Sequence, residues 1–459
     1  MAVLGAGPAG LTAAREAARS GLRPLVLEFL PVVGGLSRTI VHEGYRFDLG
    51  GHRFLTRMPE IQQLWQDTLG NDLLTVQRQS RIRYRDGYLR YPLELADTLL
   101  GVGPIQGALM LGSYVKAALG PASEEATLEQ WMTRRFGRRL YEAFFRGYTE
   151  KVWGIPCSEI QAEWASQRIQ NLSLKDALLN AAGFRPDAKT LSDTFYYPRL
   201  GPGMMWERFA EDLRSHGGDL LMDAHVTELH HDGRRVQSIV YRHQGQPREM
   251  SADAFISSMP LDELLRCLRP EPPERIVESA RGLRYRGFII VQLAVARPEL
   301  FPYHWIYVQT PQIRAGRVQN FGNWSRALLP SEDVSSVGVE YFATVGDDLW
   351  SLDDEALFRL ASSEMESLGL LQARWVTGGK VVRHPKAYPV YDGQYRQNVE
   401  RIRDYLGRFE NLQTIGRAGM HRYNNLDHSM LTGILAARNL AGEHHDLWRV
   451  NADHAQAVG

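Results

Sequence analysis

The sequence predicts an α/β protein in which a Rossmann-type domain, opened by a GxGxxG βαβ unit, is interleaved with an α+β substrate domain that includes a helical lobe. Three observations lead to this prediction. A glycine-rich loop joins an apolar strand to a helix at the start of the chain. Apolar residues at three- and four-residue spacing dominate from about 96 to 192, and short β-like runs separated by turns follow. Because 459 residues exceed the usual size of one domain, we expect two.

The overall charge and the cysteine content exclude several classes of protein. Lysine plus arginine equals aspartate plus glutamate at 53 each, so no global field attracts nucleic acid or an anionic membrane. The two cysteines, Cys157 and Cys267, are too few for a disulfide framework or a cysteine metal site and fit a reducing cytoplasm. The chain opens without the charged and apolar regions of a signal peptide. We therefore expect a cytoplasmic globular protein with no nucleic-acid partner and no metal.

The N-terminal loop has the layout of a dinucleotide-binding site. It consists of Gly5, Gly7, Pro8, Ala9 and Gly10. Glu28 ends the next apolar run, eighteen residues after the last of these glycines. Glycines permit a tight turn and close approach to a pyrophosphate, the helix N-terminus stabilises that anion, and the carboxylate accepts from ribose hydroxyls. Because strand, helix and carboxylate are all in register, we predict a dinucleotide cofactor.

The order of the segments predicts that the two domains alternate along the chain. We assign 1–95, 193–265 and 401–445 to the cofactor domain, 96–192 to a helical substrate lobe, 266–400 to a substrate-facing sheet and 446–459 to a tail. The second cofactor segment has a predicted helix at 204–216 and strands at 226–229, 236–241 and 254–257, and Val226 is expected to contact the cofactor. Further strands are predicted at 287–295, 305–308 and 337–344, and a final helix at 430–441.

One apolar stretch has the length of a membrane span. Residues 98–115 carry no charge over 18 positions, but Pro104, Gln106 and four glycines interrupt them. We therefore predict a buried or surface-associated helix and no transmembrane span.

Later motifs distinguish between NAD and FAD as the dinucleotide. Two further glycine motifs comprise Gly34, Gly35, Leu36, Ser37, Arg38, and then Gly50, Gly51, His52. A C-terminal stretch comprises Gly416, Arg417, Tyr423, Asn424, Asn425 and Leu426. This layout resembles the flavoprotein superfamily that includes amine oxidases, protoporphyrinogen oxidase, carotene desaturases and UDP-galactopyranose mutase. The resemblance implies FAD as the cofactor, with the second glycine pair at its phosphates, and the third pair and the C-terminal stretch beside the isoalloxazine.

The middle of the chain resembles the UDP-galactopyranose mutases in particular. Segments with mutase counterparts in the same order are 148–156, 164–168, 195–198, 305–307, 323–325 and 388–389. The resemblance implies a reaction without net redox, in which N5 of reduced flavin attacks the anomeric carbon of a UDP-sugar and the sugar recloses as a furanose. It also implies a role in cell-surface polysaccharide biosynthesis, with NAD(P)H as a candidate reductant of the flavin.

The mutase resemblance implies roles for nine residues around a nucleotide-diphosphate sugar, because arginine forks and phenols suit a diphosphate leaving group. Those expected to bind the diphosphate are Arg168, Arg317, Arg417, Tyr388 and Tyr423. Those expected to line the pocket are Trp153, Trp305 and Tyr307, and His52 is expected beside flavin N5. The alternative for each aromatic residue is packing in the core, and for each arginine an ion pair or solvation.

Two departures leave the substrate open. Trp324 stands where the mutases carry a tyrosine, and Ser192 or Asp193 replaces an expected asparagine. An indole donates one hydrogen bond and accepts none. The alternatives are another nucleotide sugar, a FAD oxidoreductase acting on an amine, a polyene or a sugar-derived substrate, and a catalytically silent flavin-binding protein. An oxidase of an apolar substrate would need a long apolar tunnel, with 98–115 as its entrance, and no arginine cluster.

Overall fold

Strands and helices alternate along most of the chain. The structure, a computed structural model, describes residues 1–84, 87–91, 103–120, 125–164 and 194–451. Within these residues the strands are β1 Ala2–Leu4, β2 Leu25–Leu27, β3 Thr39–His42, β4 Tyr45–Asp48, β5 Leu73–Gln77, β6 Ser80–Tyr84, β7 Gly87–Arg90, β8 Thr194–Pro198, β9 Asp219–Leu221, β10 Ala224–His231, β11 Val236–His243, β12 Gln246–Ser251, β13 Phe255–Ser257, β14 Leu268–Arg269, β15 Tyr285–Val295, β16 Trp305–Val308, β17 Arg317–Asn320, β18 Ser335–Ala343, β19 Val376–Pro389 and β20 Leu412–Thr414. The helices are α1 Pro8–Arg19, α2 Pro59–Leu69, α3 Pro104–Ala118, α4 Leu128–Phe136, α5 Arg138–Tyr141, α6 Gly147–Trp153, α7 Gly203–Ser215, α8 Leu261–Cys267, α9 Glu274–Arg281, α10 Asp354–Ser367, α11 Tyr395–Leu406 and α12 Leu426–Leu440.

A five-stranded sheet joins three segments that lie far apart in the chain. Its order is β20-β13-β1-β2-β9, and every neighbouring pair is parallel. The central strand β1 is completely buried, as is usual where helices cover a parallel sheet. Because β1, β13 and β20 are neighbours, the carboxyl ends of all three segments meet at the same edge.

Three helices form the layer behind this sheet. Helix α1 packs against both α7 and α12, so the N-terminal glycine loop and the C-terminal motif are brought together. The approach of α12 is close, because a Cβ on Gly433 would overlap the carbonyl oxygen of Ala9. Their apolar sides join β1 in one core cluster. A smaller four-stranded sheet, in the order β12-β11-β10-β14, lies beside β2.

A seven-stranded sheet forms the second half of the molecule, in the order β19-β15-β18-β17-β16-β6-β7. Strands β15 and β18 are buried along nearly their whole length, and helix α10 packs on β15 and β19. Strands β6 and β7 pair with this sheet through β16, although the predicted cofactor segment extends to residue 95. Arginine alternates with Ile82 and Tyr84 along β6, which is the period of a strand, so this strand did carry a signal in the sequence.

The helical lobe packs on the end of this sheet. Helices α3, α4 and α5 contact one another, and a π-helical turn, Glu142–Arg146, connects α5 to α6. Helix α4 begins with a capping box in which Thr127 and Gln130 exchange hydrogen bonds. The lobe core contains Trp131, Phe136 and Phe144.

The expected α/β fold is confirmed. The strands expected in the large sheet begin and end within two residues of β15, β16 and β18, and the expected helix at 204–216 is α7. The final helix begins four residues before its predicted start, because Asn425 and His428 form its capping box. Part of the stretch 98–115 forms α3, and residues 98–102 lie outside the described ranges. No helix among the described residues is long and apolar enough to cross a membrane.

Candidate active site

A cavity of about 1430 Å³ lies where the parallel sheet, the large sheet and the helical lobe meet. Its wall includes the loops after β1 and β2, the inner face of β19, and α6 of the helical lobe. The volume is larger than that of most drug-sized ligand pockets, which occupy roughly 300–1,000 Å³. One cavity therefore has room for a dinucleotide and a second ligand.

The first end of the cavity is formed by the N-terminal glycine loop. Gly7 is the N-cap of α1 and supplies no side chain, so the first backbone N–H groups of the helix have no side-chain cap. Gly5 has a φ of 102°, which favours glycine. A Cβ on Gly10 would overlap the carbonyl oxygen of Gly5. Gly5, Gly7, Pro8 and Ala9 line the cavity, whereas Gly10 closes the turn behind them.

Glu28 is buried at the end of β2, beside the glycine loop. Its carboxylate accepts hydrogen bonds from the backbone N–H of Ala6 at 2.6 Å and of Leu30 at 2.9 Å. Burial raises the pKa of Glu28, although these bonds and the Arg38 charge oppose the shift. The carboxylate also lines the cavity, where its free lone pairs suit sugar hydroxyls.

The second glycine pair packs directly on the first loop. A Cβ on Gly35 would lie 3.2 Å from Cα of Gly7, and one on Gly34 would lie 2.7 Å from the Trp206 ring. Arg38 donates to the carbonyl oxygen of Gly35 at 2.6 Å. Gly34 lies behind the wall, and the residues of this motif that line the cavity are Gly35, Leu36, Ser37 and Arg38. Two glycine turns and one buried guanidinium therefore surround the same space.

The C-terminal motif closes the other side of this space. A Cβ on Gly416 would lie 2.8 Å from Cβ of Ala9, and its N–H donates to Thr432 of α12 at 3.0 Å. The residues of this motif that line the cavity are Gly416, Arg417, Tyr423, Asn424, Asn425 and Leu426, and Val226 lines it from β10. Segments more than 400 residues apart thus form a continuous wall.

His52 lies on the loop after the third glycine pair and faces the cavity. Its Nε2 is 2.9 Å from the carbonyl oxygen of Leu49. Burial and the charges of Arg417 and Arg317 lower the pKa of His52 to about 4, so the imidazole is neutral at physiological pH. Gly51 also lines the cavity, whereas Gly50 lies behind it, where a Cβ would be 2.7 Å from Oε1 of Glu340.

Arg317 lines the cavity in a two-pronged ion pair with Glu340. Its Nε and Nη2 donate to the carboxylate at 2.7–2.9 Å, and the Glu340 side chain is only 1% exposed. Burial is the largest single influence and disfavours the guanidinium charge, but Glu340 and the nearby Tyr388, Tyr148 and Tyr307 together outweigh it, so the pKa of Arg317 is raised. Gln319 donates to the same carboxylate. Arg317 therefore stays charged, with one carboxylate already bound to it.

Arg417 lies against two tyrosines. Its guanidinium carbon is 4.6 Å from the ring centroid of Tyr423 and 5.7 Å from that of Tyr388, and the two rings stack 5.6 Å apart. Nε donates to the carbonyl oxygen of Asn424 at 2.8 Å. Trp153 packs against both tyrosines at 5.9 and 6.3 Å. This cluster forms the wall between the C-terminal motif and the helical lobe.

Most of the predicted substrate residues meet at this end of the cavity. Those that line it are His52, Trp153, Tyr307, Arg317, Tyr388, Arg417 and Tyr423. Trp305 does not line it; the indole is buried against Phe195 and Trp324, with Arg53 over its ring at 5.3 Å. Trp324 is also core, and its N–H donates to the carbonyl oxygen of His304 at 3.0 Å. Arg168, Ser192 and Asp193 lie outside the described residues.

Several cavity residues and one buried partner were missing from the sequence-based set. Arg53, Tyr91 and Tyr148 line the cavity, and Glu340 sets the charge around Arg317. Arg53 directly follows His52, and Tyr148 is the first residue of one of the mutase-like segments, so the motifs could have identified both residues. Glu340 carried a different signal, since it is the one carboxylate in an otherwise uncharged run, residues 334–346.

Comparison with known proteins identifies the family. The chain belongs to the flavin containing amine oxidoreductases, whose family description matches residues 8–445. A 15-cis-phytoene desaturase of Synechococcus elongatus is 24% identical, with 98% of this chain and 97% of that protein aligned. A pseudooxynicotine dehydrogenase of a Pseudomonas species is 51% identical over 42% of this chain and 32% of its own length. A crystal structure of reduced UDP-galactopyranose mutase has the same fold, with a TM-score of 0.86 at 22% identity, covering 99% of this chain and 98% of that one.

FAD is the cofactor, and the cavity fits it. The expected flavoprotein superfamily is confirmed by the family match. An uncapped helix N-terminus, the Gly7 and Gly35 turns and the Arg38 guanidinium suit a pyrophosphate, and the Glu28 carboxylate suits a ribose. The protein is therefore a flavin-dependent enzyme of this superfamily.

Proposed function

We propose that the protein is a FAD-dependent mutase that interconverts the pyranose and furanose forms of a nucleotide-diphosphate sugar. The observation that carries this proposal is the pairing of two guanidiniums, Arg317 and Arg417, with protonated phenols on one wall of the cavity. Burial raises the pKa of Tyr148 and of Tyr388, so both keep their protons and donate hydrogen bonds at neutral pH. Cationic forks beside phenolic donors are the groups that bind a diphosphate and stabilise charge developing on it.

Each residue has a role in this proposal that follows from its surroundings. When bound, reduced FAD supplies the nucleophile that attacks the anomeric carbon. Arg417 and Tyr423 hold the diphosphate near the flavin, and Arg317 holds it from β17. Neutral His52 neither adds charge beside the flavin nor competes with the arginines for the phosphates. Trp153 and Tyr307 exclude water from the sugar. NAD(P)H is the proposed reductant.

A cationic amine fits this wall poorly. The aromatic faces that would bind an ammonium group lie at Tyr388 and Tyr423, and the Arg417 guanidinium already covers both. An ammonium group bound at either ring would lie beside the Arg417 guanidinium, and the two positive charges would repel each other. The dehydrogenase relative acts on pseudooxynicotine by name, and its aligned part covers less than half of this chain.

An oxidoreductase of an apolar substrate is the second candidate, and one observation favours it. The helical-lobe end of the cavity is lined by Ile82, Leu128, Met132, Phe144 and Phe145. The full-length relative is a desaturase of phytoene. A polyene would, however, lie against the Arg417 guanidinium without supplying it a hydrogen-bond acceptor, which is costly, whereas Arg317 keeps its Glu340 partner. We therefore place the mutase first.

The test is turnover of nucleotide sugars by the reduced holoprotein. We would incubate the dithionite-reduced protein anaerobically with UDP-galactofuranose and related furanose sugars of other nucleotides, and measure pyranose product by chromatography. We expect product only with reduced flavin. Arg417→Ala should lower kcat by about 10²–10³ because it removes a guanidinium that stabilises the leaving diphosphate. Arg401→Ala, an exposed arginine of α11, is the matched control and should leave turnover unchanged.

Retention of flavin by both variants, seen in the visible spectrum, separates loss of chemistry from loss of cofactor. Absence of turnover with every nucleotide sugar, together with oxygen consumption by the oxidised protein on an amine or a polyene, would overturn the mutase in favour of the oxidoreductase.

A further inference from the structure

The outward face of helix α3 is unusually apolar. Ile105 is 76% exposed, Leu109 42%, Val115 46%, and Leu119, which follows the helix, 83%. Leu111 adds a fifth large aliphatic side chain at 39%. Exposed apolar side chains scattered singly are normal, but a contiguous patch on one element marks an interaction surface. We call these five residues the α3 patch.

The packing of α3 explains why the patch faces outward. Gly107 and Met110 are buried against α4 and α5, and they occupy the opposite side of the helix from Ile105 and Leu109. The helix thus already buries one apolar side in the lobe, and a second apolar side remains in solvent. The fold of the described chain gives this second side no partner.

Positive charge lies at the C-terminal end of the patch. Lys116 is exposed on α3, and the backbone N–H of Arg139 donates to Ser113 of that helix at 3.2 Å, which places α5 alongside. Among the described residues, neither Lys116 nor Arg139 has a carboxylate within ion-pair distance. The neighbouring Arg138 is paired with Glu142 at 2.8 Å. Two cations that have no carboxylate partner among the described residues, Lys116 on α3 and Arg139 on α5, therefore lie near the C-terminal end of the patch.

We propose that the α3 patch lies on an anionic lipid surface and makes the protein a peripheral membrane protein. An apolar helix face bordered by cations is the combination that binds in the interface of an anionic bilayer. Fifteen residues of helix reach about 22 Å, too short to cross a hydrocarbon core of about 30 Å, so α3 would lie along the surface. Although the net charge of the chain is zero, charges act over a Debye length of about 10 Å, so the local cations decide the attraction.

A second copy of the chain is the competing occupant. A two-fold contact with parallel α3 helices would bring the Lys116 and Arg139 side chains of both copies together, and these like charges repel. An antiparallel contact would place them against the N-terminal part of the partner helix, which has no carboxylate to pair with them. Five partly exposed side chains on one helix also form a smaller surface than the roughly 800 Å² per partner that a stable dimer buries. Charge complementarity therefore favours the lipid.

The experiment is cosedimentation of the yellow holoprotein with vesicles. We would compare vesicles of phosphatidylcholine alone with vesicles that also contain phosphatidylglycerol, at low and at high salt. We expect binding to the anionic vesicles to be at least about tenfold stronger and to weaken with salt. The triple variant Ile105→Gln, Leu109→Gln, Leu119→Gln should lose that binding. Its control is Val41→Gln with Val345→Gln, which are 61% and 57% exposed and lie on β3 and after β18.

A second pair of variants tests the charge. Lys116→Gln with Arg139→Gln should weaken binding to anionic vesicles by about fivefold for each cation. Arg23→Gln with Arg401→Gln changes two exposed arginines elsewhere and should leave binding unchanged. Flavin retention shows that each variant is folded.

Two results would overturn the proposal. One is equal sedimentation of the wild type and the triple variant with anionic vesicles. The other is a wild type that binds no vesicles and elutes as a dimer, which the triple variant converts to a monomer; this result would assign the patch to self-association.

Discussion

The two ends of the cavity are formed by different kinds of chemical group. At the dinucleotide end, backbone groups and glycine turns dominate, and Gly7, Gly35 and Gly416 are held by close packing on one another and on Ala9. At the substrate end, side chains from β17, β18, β19 and α6 converge, and their charges depend on one another, as in the Arg317–Glu340 pair. The first end is therefore intolerant of added atoms, and the second end is sensitive to changes of charge.

The largest effect is expected from an added methyl group at the dinucleotide end. The Cβ of Gly10→Ala would overlap the Gly5 carbonyl, so the strand-to-helix turn must open, at a cost of about 3 kcal/mol or more. We expect loss of bound flavin and a lower Tm. In Gly7→Ala the Cβ meets only Cα of Gly35 at 3.9 Å, so the apoprotein should fold normally but bind FAD poorly.

Flavin absorbance per mole of protein, with thermal unfolding of the apoproteins, distinguishes these two variants. Gly112→Ala, which has no atom within 4 Å of its new Cβ, is the control and should keep its flavin. A Gly10→Ala protein with full flavin content and unchanged Tm would contradict the packing account of this end.

At the substrate end, removal of one charge should have the next largest effect. Glu340→Gln leaves the Arg317 guanidinium without its buried partner, which should lower the free energy of unfolding by about 3 kcal/mol, the low end for a buried pair, because the Arg317 side chain is 23% exposed. Because a diphosphate would replace the missing charge, UDP or pyrophosphate should raise the Tm of the variant more than that of the wild type. Thermal unfolding with and without these anions measures the difference.

The control is Asp212→Asn, which breaks the Arg15–Asp212 ion pair, 2.5 Å long and outside the cavity. Anions should give this variant no additional stabilisation. If anions raise the Tm of both variants equally, Arg317 is not an anion-binding residue. The proposed sensitivity of the substrate end to charge is then wrong.

Behind the cavity wall, the buried Asp48 makes the stability of the fold depend on pH. Its carboxyl is completely buried behind the His52 loop and receives hydrogen bonds from Tyr197 and from Thr39, the latter at 2.7 Å. Burial raises the pKa of Asp48 from 3.8 to about 7. The folded protein therefore holds this proton more tightly than the unfolded chain, and the stability that Asp48 contributes below pH 4 is lost as the pH rises through 7.

Asp48→Asn removes this titration. The free energy of unfolding of the variant minus that of the wild type should rise by a few kcal/mol between pH 4 and pH 8, since one pKa unit corresponds to about 1.4 kcal/mol. Urea unfolding at several pH values measures it. A difference that stays constant with pH would show that Asp48 does not titrate in this window.

The smallest effects are expected at the aromatic residues of the substrate end, where they distinguish residues packed in the core from residues that line the cavity. Trp324→Phe loses the hydrogen bond to the His304 carbonyl and some packing, about 1–2 kcal/mol of stability, and should leave KM unchanged. Tyr307→Phe changes a residue that lines the cavity, so it should raise KM with little change in Tm. Steady-state kinetics together with thermal unfolding test the pair, and the reverse pattern would place Trp324 in the substrate wall.

The sequence by itself determined the dinucleotide end. Its glycines, Glu28 and the first helix follow one another within 28 residues, and local backbone geometry requires glycine at such positions. The C-terminal motif was recognisable only through the resemblance, because its position and residue types match the flavin-contacting stretch that ends the superfamily. The tertiary structure then added the reason, which is the packing of Gly416 on Ala9 and of α12 on α1.

Only the tertiary structure decided the chemistry of the substrate end. The sequence named Trp153, Tyr307, Arg317 and Tyr388 through the resemblance, but it gave Trp305 the same standing, and that indole is core. It could not reveal that Glu340 forms an ion pair with Arg317 or that Arg417 covers two tyrosine rings, because these partners are brought together by strand pairing and loop packing. Side-chain charge and accessibility depend on neighbours distant in the chain, whereas a glycine turn depends on residues beside it.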